Sequence, residues 1–157
     1  MTKLEIITRA QLYLDDTSEL STEEFSDLFD MKYAEINSRR PWEYTKKEFS
    51  GAASTSVPYV ALPPDFLYLT ANNNHTNSTS YEAGLPVVFV GTQRSPYKVV
   101  SWSDRRQYRD QKSVAWIDIG ASRLVFAAQP SAADTVEYDY HSIMATLANG
   151  ESPAYMT

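Results

Sequence analysis

The side chains able to move protons at neutral pH are few. The chain holds two histidines, His75 within NNNHTNSTS and His141 within EYDYHS, together with twenty carboxylates and no cysteine. A serine-type triad would require His141 and Ser142 to share a proton, but neighbours in a strand point to opposite sides. A zinc site needs several convergent ligands, and neither histidine has a second within helical or hairpin reach. Asp15, Asp16 and Glu19 lack both the spacing and the glycine of a calcium loop. The five glycines form neither GxGxxG nor GxxxxGK. Paired carboxylates for glycosidic cleavage are open to any acid-rich chain, and no pattern here selects a pair. One basic cluster, Arg105, Arg106, Arg109 and Lys112, can meet phosphate or pair with acids of the same or an adjacent subunit; on a helix, Arg105 and Arg109 share a face. The residues therefore point away from catalysis and from any cofactor or metal.

The elements that carry these side chains belong to one body of globular composition. The 157 residues are 43% hydrophobic and 22% charged, enough for a single cooperative core. No apolar run approaches the roughly 18 residues of a membrane helix, so no membrane partner is expected. MTKLEIITRAQLYLDD is interrupted by Lys3, Glu5 and Arg9 and does not read as a signal peptide, so the expectation is a protein that stays in the cytosol where it is made. The net charge is −6, and residues 1 to 36 hold nine acids (Glu5, Asp15, Asp16, Glu19, Glu23, Glu24, Asp27, Asp30, Glu35) against Lys3, Arg9 and Lys32. The remaining residues balance, so the whole excess lies in the first quarter. That distribution argues against a general nucleic-acid binder, which needs clustered Lys and Arg.

Thr2 and Glu5 are spaced as a capping box and predict a helix over 3–14. Its apolar residues, among them Ile6, Ala10 and Tyr13, cover about half the circumference, more than the roughly 100° stripe that one core face needs. Either the helix is deeply buried in its own subunit or a second neighbour touches it. Ser21 and Glu24 repeat the capping box, and Phe25, Leu28, Phe29, Tyr33 and Ile36 recur at helical spacing until Pro41. The other face of this second helix, with Glu23, Asp27 and Asp30, turns to water or to a partner.

From Tyr44 onward, short runs of Val, Tyr, Phe, Ile and Thr alternate with Gly, Pro, Asn and Ser in the rhythm of antiparallel strands. Strands are predicted near 45–54, 58–62, 67–71, 86–92, 97–102, 113–119, 122–128 and 135–142. Gly120-Ala121-Ser122 turns the best hairpin. In the last strand Val136, Tyr138 and Tyr140 share one face, and Glu137, Asp139 and His141 the other. SDRRQYRDQ, 103–111, reads as a short helix capped by Ser103, and 72–80 as a polar loop with sequons at Asn74 and Asn77. The fold class is α+β: an N-terminal antiparallel helical hairpin (1–43) packed with an antiparallel β-sandwich or β-barrel-like domain (44–147) and a C-terminal tail (148–157).

VPYVALPPDF, residues 57–66, contains a corner. Pro63 removes a ladder donor and Pro64 restricts its predecessor, so no strand continues through them. Asp65 accepts amide hydrogen bonds from the turn, and Phe66 folds back on the core. Trp42 after the helices, the EFSGAAS strand, this corner (Tyr59, Leu62, Pro63, Pro64, Asp65, Phe66) and the late strand pair (Leu124, Phe126, Pro130, Val136, Tyr138, Tyr140) recur in this order in one family. Across residues 4–147 the chain resembles the head-to-tail adaptor, connector or gatekeeper proteins of tailed bacteriophages, including those called tail tubular protein A. Many relatives continue into a C-terminal helical segment about where this chain reads ESPAYMT.

The resemblance implies a non-enzymatic virion structural protein of the neck. It implies a homo-oligomeric ring, commonly twelvefold, beneath the portal protein, contacting a tail, nozzle or stopper protein below and passing DNA through its lumen without sequence-specific binding. Candidate subunit contacts are Ile6, Ala10, Tyr13, Asp27, Asp30, Arg105 and Arg109; candidate portal contacts are Pro153, Ala154, Tyr155, Met156 and Thr157. Alternatives are another neck or tail component (stopper, tail terminator or nozzle subunit), a β-sandwich ligand-binding module using Trp102, Tyr108 and Trp116, and a paired-carboxylate hydrolase.

Overall fold

The computed structural model describes residues 1–14, 21–39, 42–70, 85–130 and 134–153. The polar loop predicted at 72–80 with His75, Asn74 and Asn77, the acids Asp15, Asp16 and Glu19, Pro41, and the candidate contacts Ala154, Tyr155, Met156 and Thr157 lie outside the described residues. The chain divides into two compact units, one of Met1–Thr45 with Ile143–Thr157, the other of Lys46–Ser142.

In the first unit, α1 spans Lys3–Leu14 and α2 spans Thr22–Ser38. Both capping boxes form. Glu5 N donates to Thr2 Oγ1 and Thr2 N to Glu5 Oε2, while the same exchange links Ser21 and Glu24. Each satisfies amides that a helix start leaves without partners. Ile7, Phe25 and Tyr33 are buried, and Phe29 stacks on Tyr33 with ring centres 5.9 Å apart. Trp42 closes the end of α2 by donating its indole N–H to the Ile36 carbonyl at 3.0 Å. The C-terminal segment returns to this unit. The amides of Lys3 and Leu4 donate to the carbonyls of Glu151 and Asn149 at 2.8 and 3.1 Å, and Pro153 is fully buried. The first turn of α1 thus finds its acceptors at the far end of the sequence.

The second unit contains all eight predicted strands: β1 Lys46–Ala52, β2 Tyr59–Ala61, β3 Phe66–Leu69, β4 Val87–Val90, β5 Ser95–Val100, β6 Val114–Asp118, β7 Arg123–Phe126 and β8 Thr135–Ser142. They form one sheet in the order β1-β8-β4-β5-β6-β7-β2, with β3 also paired to β8, curled into a near-barrel. Two expectations are corrected here. The strands do not split into the two sheets of a sandwich, and the sheet is mixed rather than antiparallel, because β5 and β6 run parallel with Lys98 opposite Val114. Parallel neighbours need a crossover of a dozen or so residues, and the segment between Val100 and Val114 supplies it. The hairpin between β6 and β7 forms as expected, with Ser122 at φ 51° and the Ala121 amide donating to Asp118 Oδ1.

β8 organises the sheet. β1 occupies one edge along its whole length, from Lys46 opposite His141 to Ala52 opposite Thr135. The other edge is shared, with β4 against Val136 and Glu137 and β3 against Tyr140 to Ser142. The inward face of β8, Val136, Tyr138 and Tyr140, joins Val60, Val88, Val90, Leu124 and Phe126 in the core. Fully burying each large apolar side chain contributes about 1.5–3 kcal/mol.

Phe49 on β1 stacks on Tyr138 at 4.6 Å, and its ring folds over Gly51, two residues along on the same side. A Cβ at Gly51 would lie 2.6 Å from Phe49 Cζ. Gly51→Ala is therefore expected to displace the Phe49–Tyr138 stack and to cost about 1–3 kcal/mol in urea unfolding. An unchanged midpoint would show that Phe49 has room to move.

Candidate functional site

The corner joins three strands through a few polar groups. Pro63 to Phe66 form a tight turn in which the Phe66 amide donates to the Pro63 carbonyl at 3.0 Å. Before the turn, β2 lies on β7; after it, β3 lies on β8. The two prolines end one pairing, and the chain re-enters the sheet at the other end of its strand order. The near-barrel is closed there by covalent chain rather than by a ladder of hydrogen bonds.

Asp65 fastens the turn. Its Oδ1 accepts from the Tyr140 hydroxyl at 3.0 Å and its Oδ2 from Lys47 Nζ at 2.5 Å, so one carboxylate joins the corner to β8 and β1. The carboxylate also takes a backbone hydrogen bond from its own residue in the turn, and the long-range clamp adds to that expected local role. The hydrogen bond from Lys47 holds the Asp65 carboxyl below its ordinary range, with Tyr140 assisting. Burial pushes the Tyr140 phenol up, and its bond to Asp65 adds to the shift. Phe66 packs as expected, stacked on Tyr140 at 5.8 Å and edge-on to Tyr138 at 6.5 Å. Tyr59 carries the Arg123 guanidinium over its ring at 4.1 Å, and Leu62 packs against the core. These contacts make the corner scaffold.

Groups that suggested chemistry are dispersed. His141 is buried with the Tyr68 ring 5.0 Å away. Among the described residues no group of three or more His, Cys, Asp or Glu is placed to hold a metal. A cleft of about 200 Å³ brings Glu48, Glu137 and Asp139 together beside Arg94. Two of these acids are engaged, Glu137 by Arg94 at 3.1 Å and Asp139 by Lys46 at 3.7 Å.

The candidate contact residues fall into distinct surroundings. Ile6 and Ala10 are half-buried in α1, whereas Tyr13 is 89% exposed. Asp27 is exposed on α2, but Asp30 is not free: both its oxygens take Lys3 Nζ at 2.8 Å. Lys3 is only 3% exposed, and its ammonium also lies 5.6 Å from the centre of the Phe29 ring. Sequence reasoning missed this pair, although Lys3 stands one turn from Ile7 on the face that packs. Pro153 is buried within its own unit.

The basic segment is a 3-10 helix over Asp104–Tyr108, not an α-helix, and Arg109 has already left it at ψ 132°. Arg105 and Arg109 therefore do not share a helical face. Ser101, rather than Ser103, caps the helix by accepting from the Asp104 amide at 3.3 Å. Arg105 lies over Trp102 at 3.6 Å and donates to the Trp102 carbonyl. Of the other aromatics, Tyr108 faces Lys98 at 5.8 Å and Trp116 is half-buried.

The family model described as SU10 adaptor protein matches residues 1–157, the whole chain. No curated protein matches it.

The clamp has a pH signature. Asp65 titrates lower in the folded chain than in the unfolded one, so its stabilisation is complete above the ordinary carboxylate range near about pH 4 and is lost as the pH falls below it. Asp65→Asn is expected to lower stability at neutral pH and to flatten the acid-side decline in urea midpoints. Parallel pH curves for the two proteins would contradict the clamp.

Proposed function

Because the chain belongs to the SU10 adaptor protein family, we propose that it works as a virion structural protein, a head-to-tail adaptor that closes into a ring, commonly twelvefold, beneath the portal. In this reading the ring joins the capsid to the tail, nozzle or stopper protein below, and the genome passes through its lumen without sequence-specific contacts. The observation that carries the reading is the family match over residues 1–157.

The molecule offers physical support. Lys46–Ser142 holds equal numbers of acidic and basic residues, so the whole net charge of −6 belongs to the unit of Met1–Thr45 and Ile143–Thr157. A surface of that sign does not trap a passing polyanion. Exposed apolar side chains on both helices, Leu4, Leu12 and Tyr13 on α1 and Leu28 and Met31 on α2, suit contacts with neighbouring subunits or with the portal. Of the three acids that line the cleft, Glu137 and Asp139 are held in ion pairs.

Electron cryomicroscopy of particles from the phage that encodes the chain is expected to find its copies as a ring at the head–tail junction. Deletion of its gene should leave filled heads and separate tails. Density for the chain at the tail tip, or particles that remain joined without it, would overturn the assignment.

A further inference from the structure

A closed ring of identical subunits requires each copy to present two different faces that fit one another. The structure carries two surfaces of opposite chemistry. On α2, Glu23, Asp27 and Met31 recur every four residues along one exposed side, with Leu28 beside them. The opposite side of the same helix packs Phe25, Phe29 and Tyr33 into its own unit. Met31 is 56% exposed, and among the described residues neither Glu23 nor Asp27 has a charged partner. Asp30, which spacing would place in the same stripe, is spent on Lys3 and takes no part.

The second surface is the crossover between β5 and β6. Residues 98–112 hold five cations against two acids. Trp102 is 47% exposed, and the Arg105 guanidinium stacked on it at 3.6 Å is held in place by its bond to the Trp102 carbonyl. Arg106, Arg109 and Lys112 are exposed, and none joins an ion pair among the described residues. Exposed Trp and Arg are the residue types that dominate binding energy at protein interfaces. An acid-and-methionine face matches an indole-and-guanidinium face in both charge and polarity, whereas either face against a copy of itself sets like charges together.

We propose that neighbouring copies meet heterologously, the α2 face of Glu23, Asp27, Leu28 and Met31 in one copy docking on the Trp102–Arg109 crossover of the next. The proposal rests on the adaptor reading and names the contact that closes the ring. A second copy is the occupant that the charge match selects.

Two full-length variants test it, one with Glu23→Lys and Asp27→Lys, the other with Arg106→Glu and Arg109→Glu. All four side chains are exposed, so unchanged thermal unfolding serves as the folding control. Assembly on the cognate portal ring is read by native mass spectrometry and sedimentation. Each variant alone sets like charges against each other and is expected to lose assembled protein about tenfold or more. An equimolar mixture restores opposite charges at every junction and is expected to assemble within about twofold of wild type. A single chain carrying all four changes should behave like the mixture. Either variant assembling alone as well as wild type overturns the proposal, as does a mixture that stays unassembled. Should a reversed variant fail the folding control, Glu23→Gln with Asp27→Asn is expected to show partial loss with a weaker salt dependence, and an unchanged salt dependence overturns the proposal. Wild type failing to assemble on the portal at all would instead remove the adaptor reading itself.

Discussion

One carboxylate, that of Asp65, fastens the corner of the β unit to two of its strands. Eight strands arranged as this sheet leave β2 at one end of the order and require the next segment to pair at β8, near the other end. A continuous strand cannot make that transfer, because its backbone groups would have to serve two neighbours in different directions. Pro63 and Pro64 break the ladder, and Asp65 then ties the break to Tyr140 of β8 and Lys47 of β1. The clamp holds a turn that carries little sheet bonding of its own, and Phe66 fills the space inside it against Tyr138 and Tyr140. An ion pair this close to solvent contributes modestly by itself. Its value lies in fixing the register of β3, since a slip by one residue would turn Phe66 outward.

A similar device serves the helical unit. The first amides of α1 take carbonyls from Asn149 and Glu151, so the two ends of the chain are joined by backbone bonds. Lys3 then fastens α1 to α2 through Asp30, with its aliphatic stem buried and its ammonium near Phe29. In both units a long-range pair of opposite charge sits where local sequence cannot dictate the contact. Two exposed surfaces remain, acidic and apolar on α2 and cationic with tryptophan on the crossover.

Much of this was legible in the sequence where the signal is local. Both capping boxes, the period of α2, the position of every strand and the alternation of Val136, Tyr138 and Tyr140 follow from spacings of two to four residues. Parallel pairing of β5 and β6 was not, because the strand pattern is the same for either direction and only the length of the crossover hints at it. The basic segment reads as a short helix, and it forms only a 3-10 turn capped by Ser101, which leaves Arg109 outside the turn that holds Arg105. The corner was readable as a corner. Its purpose was not, since Lys47 and Tyr140 lie 18 and 75 residues from Asp65 and no local rule links them. A separation of 27 residues likewise hides the pairing of Lys3 with Asp30, so spacing alone groups Asp30 with Glu23 and Asp27.

A double-mutant cycle of Asp65→Asn and Tyr140→Phe, followed by urea unfolding at neutral pH, tests the clamp most directly. If one carboxylate fastens the corner to β8, the two changes are coupled, and their combined cost differs from the sum of the single costs by about 0.5–3 kcal/mol. Costs that add to within about 0.3 kcal/mol would show that the corner is held by its prolines and by Phe66 alone.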